Sequence, residues 1–297
     1  EAIELVDAGI DSDIVLMEGC FDADEYALAI RHDFQLVIHS ETQLTQFLAL
    51  TPPQPLRVWL KLDTGMHRLG FTPEQFKQAY ERLMACRHCA QPLQLMTHFA
   101  CADDVQHKFN DEQLALFQNS IQGMDGKQSI ANSATILTRP DRHLDWVRPG
   151  IILYGASPVL ATTADDFGLL PVMTFRTHVI ATKYIAKGER VGYGGDWQAM
   201  SNTRIAVIAA GYGDGYPRHA KSGTPVLVAG IECQLVGRVS MDMITVEIPL
   251  DADIDVGAPV VLWGEGLPAE RVAEHVSTIS YTLFCGITNR VVRHYLT

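Results

Sequence analysis

Across residues 1–153, short apolar runs alternate with amphipathic segments, and few folds accommodate that order. Helical spacing covers residues 1–8, with Gly9 suited to a C-terminal cap. Strands are expected at 14–17, 36–39, 57–62, 93–99, 129–131 and 146–153. Helices are expected between them at 23–31, 41–50, 73–86 and 111–122, with a short turn or helix at 132–137. Thr72 and Pro73 mark the start of the third of these, as N-cap and first helical residue. Strand and helix in alternation predict a parallel sheet with helices packed outside it. The chemistry-bearing residues fall just after strands: 63–68, His98, Ser133 and Arg148. A (β/α)₈ barrel places its active site at those strand ends. A doubly wound sheet follows a similar rule, but no Gly-x-Gly-x-x-Gly follows a strand here. Six strands are two short of a closed barrel, so the expectation is an open sheet or a barrel whose first two units lie outside this chain.

Residues 157–171 read as a linker, after which the pattern changes. Runs at 174–185, 204–210, 224–228, 232–236, 244–248 and 259–262 alternate or are β-branched, and Ala229-Gly230 suits a hairpin turn. A helix at 268–276 and a last strand at 290–295 complete the chain. The expected organisation is an α/β barrel domain over 1–160 and a small β barrel or sandwich over 171–297.

Composition narrows the partners. Lys and Arg number 23 against 35 Asp and Glu, a net charge of −12 that argues against a nucleic-acid groove. With 47% apolar and 20% charged residues the chain resembles an ordinary globular protein, and no apolar run approaches a membrane span. Cys86-Arg-His-Cys89 has zinc-like spacing, but no second pair answers it. Free thiols in a reducing, cytoplasmic compartment are the expectation.

Within WVRPGIILYG at 146–155, one cation stands beside aliphatic residues, with Pro149 and Gly150 breaking the strand behind it. A guanidinium there needs a partner: a carboxylate such as Asp145, a phosphate or a ring nitrogen. Lys61 to Arg68 gathers ionisable groups at a strand end, and His98 stands at another. Alone, His98 reads more readily as a structural histidine. Asn132-Ser133 can present a hydroxyl and N–H groups to an anion. Val191 to Gly195 isolates Tyr193 among glycines, which is commonly no more than a turn with a packing tyrosine. Gly211 to Tyr216 looks similar, and Gly237 to Asp242 is a strand–turn with one charge of each sign.

Taken in order, LKLDTGMHRLG at 60–70, THFA at 97–100, ANSA at 131–134, WVRPGIILYG at 146–155, VGYGG at 191–195, GYGDGYPR at 211–218 and GRVSMDM at 237–243 resemble the alanine racemases. The resemblance spans essentially the whole chain. It implies a fold-type III enzyme using pyridoxal 5'-phosphate, built as a TIM-like barrel and a β domain. It also implies a homodimer with shared active sites, which interconverts L- and D-alanine by a two-base mechanism and supplies D-alanine as a peptidoglycan precursor. Tyr193 resembles the catalytic tyrosine delivered from the partner subunit. Arg148 resembles the residue on the pyridine nitrogen, and His98 its link to the tyrosine, the pair lending positive character. Ser133, Gly150, Ile151 and Tyr212 resemble the phosphate cradle. Arg68 and Met241 resemble the holders of the substrate carboxylate. Lys61 matches a lysine that several members carry carbamylated. Two positions depart from the family. Asn289 stands where many members have a tyrosine that narrows the way in, which opens a broader amino-acid range. The Lys-Ala-Asn-Ala-Tyr-Gly-His-Gly stretch, whose lysine holds the cofactor, is not in these 297 residues. The expectation is therefore the larger part of a racemase that needs its N-terminal lysine segment. The alternative is a non-catalytic or truncated chain that binds pyridoxal phosphate or a partner.

Overall fold

The structure is a computed structural model and describes residues 1–296. It forms two compact units, the first ending at Pro149 and the second beginning at Gly150.

The first unit runs α1 (Ala2–Asp7), β1 (Val15–Leu16), α2 (Ala23–Arg31), β2 (Gln35–Ile38), α3 (Glu41–Leu48), β3 (Val58–Lys61), α4 (Pro73–Met84), β4 (Gln94–Met96), α5 (Phe109–Ser120), β5 (Lys127–Ala131), α6 (Ser133–Thr138) and β6 (Trp146–Val147). All six strands are parallel and lie in sequence order. Local signals set the helix starts. Asp22, Ser40 and Asn132 each accept a backbone N–H from three residues on, and Thr72 forms a capping box with Gln75 ahead of Pro73. Every residue of β2 and β3 is buried, as expected of parallel strands covered on both faces. Val15, Val37, Trp59 and Met96 pack together on one face of the sheet, where Trp59 meets Trp146 edge-on at 5.9 Å. The period of two carries Lys61 and Arg148 to that same face, one residue pair beyond the tryptophans, at the carboxyl ends of their strands.

The run read as a strand over 146–153 is a strand only at Trp146–Val147. Pro149 has no N–H to give a ladder, and Ile151–Tyr154 winds into a 3₁₀ turn with Leu153 N–H on the Gly150 carbonyl at 3.0 Å. Gly155, at φ +74°, ends that turn. A Cβ there would lie 1.8 Å from the Leu170 carbonyl oxygen, so only glycine fits. Residues 157–171 are not slack: Ser157 N–H donates to Glu270, and Ala164–Phe167 forms a 3₁₀ turn with its own Thr163–Asp166 capping box.

In the second unit, β7 (Phe175–Ile185) precedes a two-stranded ribbon, β8 (Arg190–Val191) with β9 (Trp197–Gln198). Then come β10 (Thr203–Ile208), β11 (Pro225–Val228), β12 (Ile231–Leu235), β13 (Ile244–Ile248), β14 (Pro259–Trp263), α7 (Ala269–His275) and α8 (Ser280–Gly286). Six of these strands close an antiparallel barrel in the order β10-β13-β12-β11-β14-β7. The Ala229-Gly230 turn joins β11 to β12, with both residues at positive φ. Val226, Val228, Val246, Leu262 and Trp263 fill the barrel core. The strand expected at 290–295 does not form, because a closed ring offers no edge for a seventh strand. The apolar run before it is the helix α8, which places Leu283 in the core.

Candidate functional site

Arg148 enters the site from a chain pinned by its own N–H on the Ala131 carbonyl at 2.9 Å. Its guanidinium donates to the Thr97 carbonyl at 2.6 Å and to the Ser129 hydroxyl, which in turn donates to the Trp146 carbonyl at 3.0 Å. Asp145 is not its partner; that carboxylate accepts the Gln128 N–H at 2.8 Å. Among the described residues no carboxylate lies within ion-pair distance of Arg148. Burial alone draws its pKa down to about 10, so it stays charged at neutral pH.

Strand β3 delivers Lys61, 7% exposed, and then a loop that returns to the strand it left. Phe71 N–H bonds the Lys61 carbonyl at 3.0 Å and Asp63 N–H bonds the Phe71 carbonyl at 2.9 Å. The loop closes this tightly because Gly70 carries no Cβ, which would lie 2.6 Å from the Asp63 nitrogen. Asp63 organises the interior. One carboxylate oxygen accepts the N–H groups of Gly65 and His67, at 2.9 and 3.0 Å, and the other bonds the His67 ring at 3.0 Å. Burial works against its charge, but these bonds hold its pKa below the usual carboxylate value. Arg68 leaves this loop exposed. Lys61 is pushed below the ordinary lysine value by burial first, then by Arg68 and Arg148, with Asp63 and Glu18 opposing.

His98 stands one residue beyond the Thr97 peptide that Arg148 holds. Burial, then Arg148, Lys61 and Arg68 in that order, push its pKa to about 4. Its imidazole is thus neutral at pH 7, and the positive character of the pair sits on the arginine. Lys61, Arg68, His98 and Arg148 therefore form one electrostatically coupled, cation-rich group at the carboxyl ends of parallel strands. Such a group suits an anion and a neutral acceptor. Ser133 is buried at the first position of α6, capped by Asn132.

The second unit presents the other expected residues on three tied loops. Tyr193 is 70% exposed on a tight turn between β8 and β9, where Gly192, Gly194 and Gly195 all have positive φ. Arg238 braces that turn through Asp196, at 2.5 Å. Tyr212 and Met241 lie on adjoining loops: Tyr212 N–H bonds the Ser240 carbonyl at 3.1 Å and Gly213 N–H the Met241 carbonyl at 2.8 Å. Arg290, the neighbour of exposed Asn289, pairs with Asp242 at 2.6 Å and Asp214 at 3.4 Å. Ile151 is buried in the 3₁₀ turn that follows Gly150. Ser129 and Gln113 carry site geometry that motif reading passed over. Their signal was a polar residue at an inward position, and both are fully buried.

A parallel sheet with a cation-rich group at its strand ends, followed by a closed β barrel, defines a class of α/β enzymes with strand-end sites. The alanine racemase N-terminal domain model matches residues 1–158, and the C-terminal domain model matches residues 172–295. The alanine racemase of Pectobacterium carotovorum subsp. carotovorum is 50% identical over 296 residues, covering 100% of this chain and 82% of that protein. The crystal structure of the biosynthetic alanine racemase from Pseudomonas aeruginosa superposes with a TM-score of 0.96 at 44% identity, covering 100% and 82%. That of the Bartonella henselae alanine racemase, with covalently bound pyridoxal phosphate, does so with 0.87 at 26% identity, covering 100% and 83%. The chain belongs to the alanine racemase family, and its barrel-plus-β-domain fold is that of these structures.

Proposed function

We propose that this chain interconverts L- and D-alanine with pyridoxal 5'-phosphate, as the larger part of a homodimeric racemase. The observation that carries the reading is Arg148: a charged guanidinium at a strand end, held by Thr97 and Ser129 and paired with no carboxylate among the described residues. A guanidinium can only donate, so a pyridine nitrogen placed against it is kept unprotonated. The residues present fit the cofactor in this respect, as does the anion-seeking set of Lys61, Arg68 and Arg148. Bound pyridoxal phosphate supplies the electron sink that makes the α-proton of an amino acid removable.

In this reading Arg148 holds the ring nitrogen, while Ser133, Gly150, Ile151 and Tyr212 hold the phosphate. Arg68 binds the substrate carboxylate, with Met241 contributing from the partner subunit, and Lys61 steadies Arg68, carrying a carbamate where it is modified. Tyr193, also from the partner, moves the proton on one face of the substrate. Its 70% exposure in the single chain leaves it available to a second copy. Neutral His98 orders Arg148 and the tyrosine. The second base is a lysine, and none of the seven in this chain, Lys61, Lys77, Lys108, Lys127, Lys183, Lys187 and Lys221, stands in the matching stretch. It is therefore supplied from outside these 297 residues. We also propose the domain division 1–160 and 171–297.

The test is α-proton exchange. With the lysine segment supplied, the enzyme in deuterated water should convert L-alanine to α-deuterated D-alanine, and Arg148→Ala should lower both turnover and pyridoxal phosphate affinity at least tenfold. Cofactor binding without isotope uptake would favour the non-catalytic reading instead.

A further inference from the structure

Gln113 lies on α5 and is wholly buried, yet it belongs to no motif of the family resemblance. Its Oε1 accepts the Ala100 N–H at 2.9 Å, which fixes the orientation of the amide, since Ala100 N–H can only donate. Its Nε2 therefore donates twice: to the Thr64 hydroxyl at 3.0 Å and to the His98 carbonyl at 3.2 Å. The chain of bonds continues. Thr97 donates its hydroxyl proton to the Leu62 carbonyl at 2.9 Å, so in the 2.8 Å contact between Thr64 and Thr97 the donor is Thr64. Gln113 thus heads a one-way series: Gln113 to Thr64 to Thr97 to the Leu62 carbonyl.

Each link touches a segment bearing a site residue. Thr64 opens the loop that carries Arg68. Thr97 offers its carbonyl to Arg148, and the His98 carbonyl is bonded directly. A buried side chain that bonds the Thr64 hydroxyl, the His98 carbonyl and the Ala100 N–H leaves these segments little freedom to shift against one another.

We infer that Gln113 is a positioning residue of the racemase site, clamping the His98 peptide and the Arg68 loop in fixed register. The inference rests on the roles proposed above for His98 and Arg68. Gln113→Met keeps the volume and removes every hydrogen bond, leaving the Ala100 N–H and the His98 carbonyl unpaired. Two readouts apply to the holoenzyme. One is kcat/KM for alanine. The other is the pH titration of the His98 ring followed by NMR with ¹⁵N-histidine, where the facing charges are Lys61 of β3, Arg68 of the loop and Arg148 beyond β6.

The expected result is a loss of tenfold or more in kcat/KM, together with a His98 midpoint raised by at least half a pH unit as water reaches the loosened peptide. A folded variant with a wild-type titration overturns the inference, even if its Tm falls, because a merely structural glutamine would lower Tm and leave His98 alone. Should Gln113→Met not fold, Thr64→Val removes one link of the series and is judged by the same titration, with a smaller shift expected. Failure of the wild-type enzyme to racemise alanine would count against the proposed activity, and the His98 titration would still decide the role of Gln113.

Discussion

The guanidinium of Arg148 donates to the Thr97 carbonyl at 2.6 Å, so the cation following β6 grips the peptide that leads into His98. A permanent charge is thereby fixed beside an ionisable ring, and burial first, then that charge, push the ring toward its neutral form. Its pKa falls to about 4 from the ordinary 6.5.

That shift has a sign in stability. The unfolded chain takes up a proton on His98 as pH falls through 6.5, while the folded chain resists until about 4. Stability from this group is therefore complete above pH 6.5 and is lost on acidification through that window. The loss approaches about 3 kcal/mol, from 1.36 kcal/mol per pH unit. Urea midpoints at pH 7 and pH 4.5 should fall further for the wild type than for His98→Gln. Equal losses in the two proteins would show that His98 is not the group responsible.

Tyr193→Phe should remove one of the two bases without disturbing the glycine turn that carries it. Racemisation should drop by ~10²–10⁴ with cofactor affinity unchanged. If the tyrosine serves the partner's site, mixing Tyr193→Phe with Arg148→Ala should restore activity in heterodimers. Sedimentation should show a dimer at working concentration. A fully active monomer contradicts shared sites.

Gly155→Ala tests the packing of the segment after the 3₁₀ turn. A methyl group there meets the Leu170 carbonyl at 1.8 Å, on a backbone at φ +74°. The destabilisation should be on the order of 3 kcal/mol, from combined clash and strain, measured by urea denaturation. A variant as stable as wild type would place residues 155 and 170 further apart.

Asn289→Tyr should restore the bulk that many family members have near the active site. The ratio of kcat/KM for alanine over serine or larger amino acids should rise at least tenfold. An unchanged ratio would mean that Asn289 does not border the substrate.

The 297 residues alone should give no borohydride-reducible lysine adduct with pyridoxal phosphate and no racemisation. A polypeptide carrying the lysine stretch should restore both. Robust turnover by the 297-residue chain, with its mass verified, would overturn this expectation.

Much of the fold was legible because its signals are local. Thr72 and Pro73 mark a helix start in two adjacent residues, and the alternation of apolar runs with helical segments points to a parallel sheet. The errors fell where apolar periodicity was read past a constraint it does not carry, an imide nitrogen beside the run or a ring closed far from it. Ile151 to Leu153 reads as a strand until Pro149 denies it a ladder. Residues 290–295 read as a strand until the ring is seen to be closed. The same limit applies to the site. Arg148 was visible as a cation in need of a partner, and its roles came from family resemblance. The partners it uses, Thr97 and Ser129, lie 51 and 19 residues upstream, beyond the reach of spacing rules. Gln113 was hidden for the same reason: its three bonds join segments that only the tertiary fold assembles.

Strand β7 pairs with β14 through Phe175 to His178 and with β10 through Val179 to Ile185. It is the first strand of the barrel to be synthesised, and the last, Pro259–Trp263, is the one that seals it. Until those residues emerge, β7 and β11 each keep a bare flank of peptide groups able to recruit another chain. Cellular yield should thus hinge on the interval between the two strands rather than on final stability. A pause, a nonsense codon or a proteolytic nick between residues 229 and 258 would release a sticky, ring-broken half-product with no stable resting form of its own.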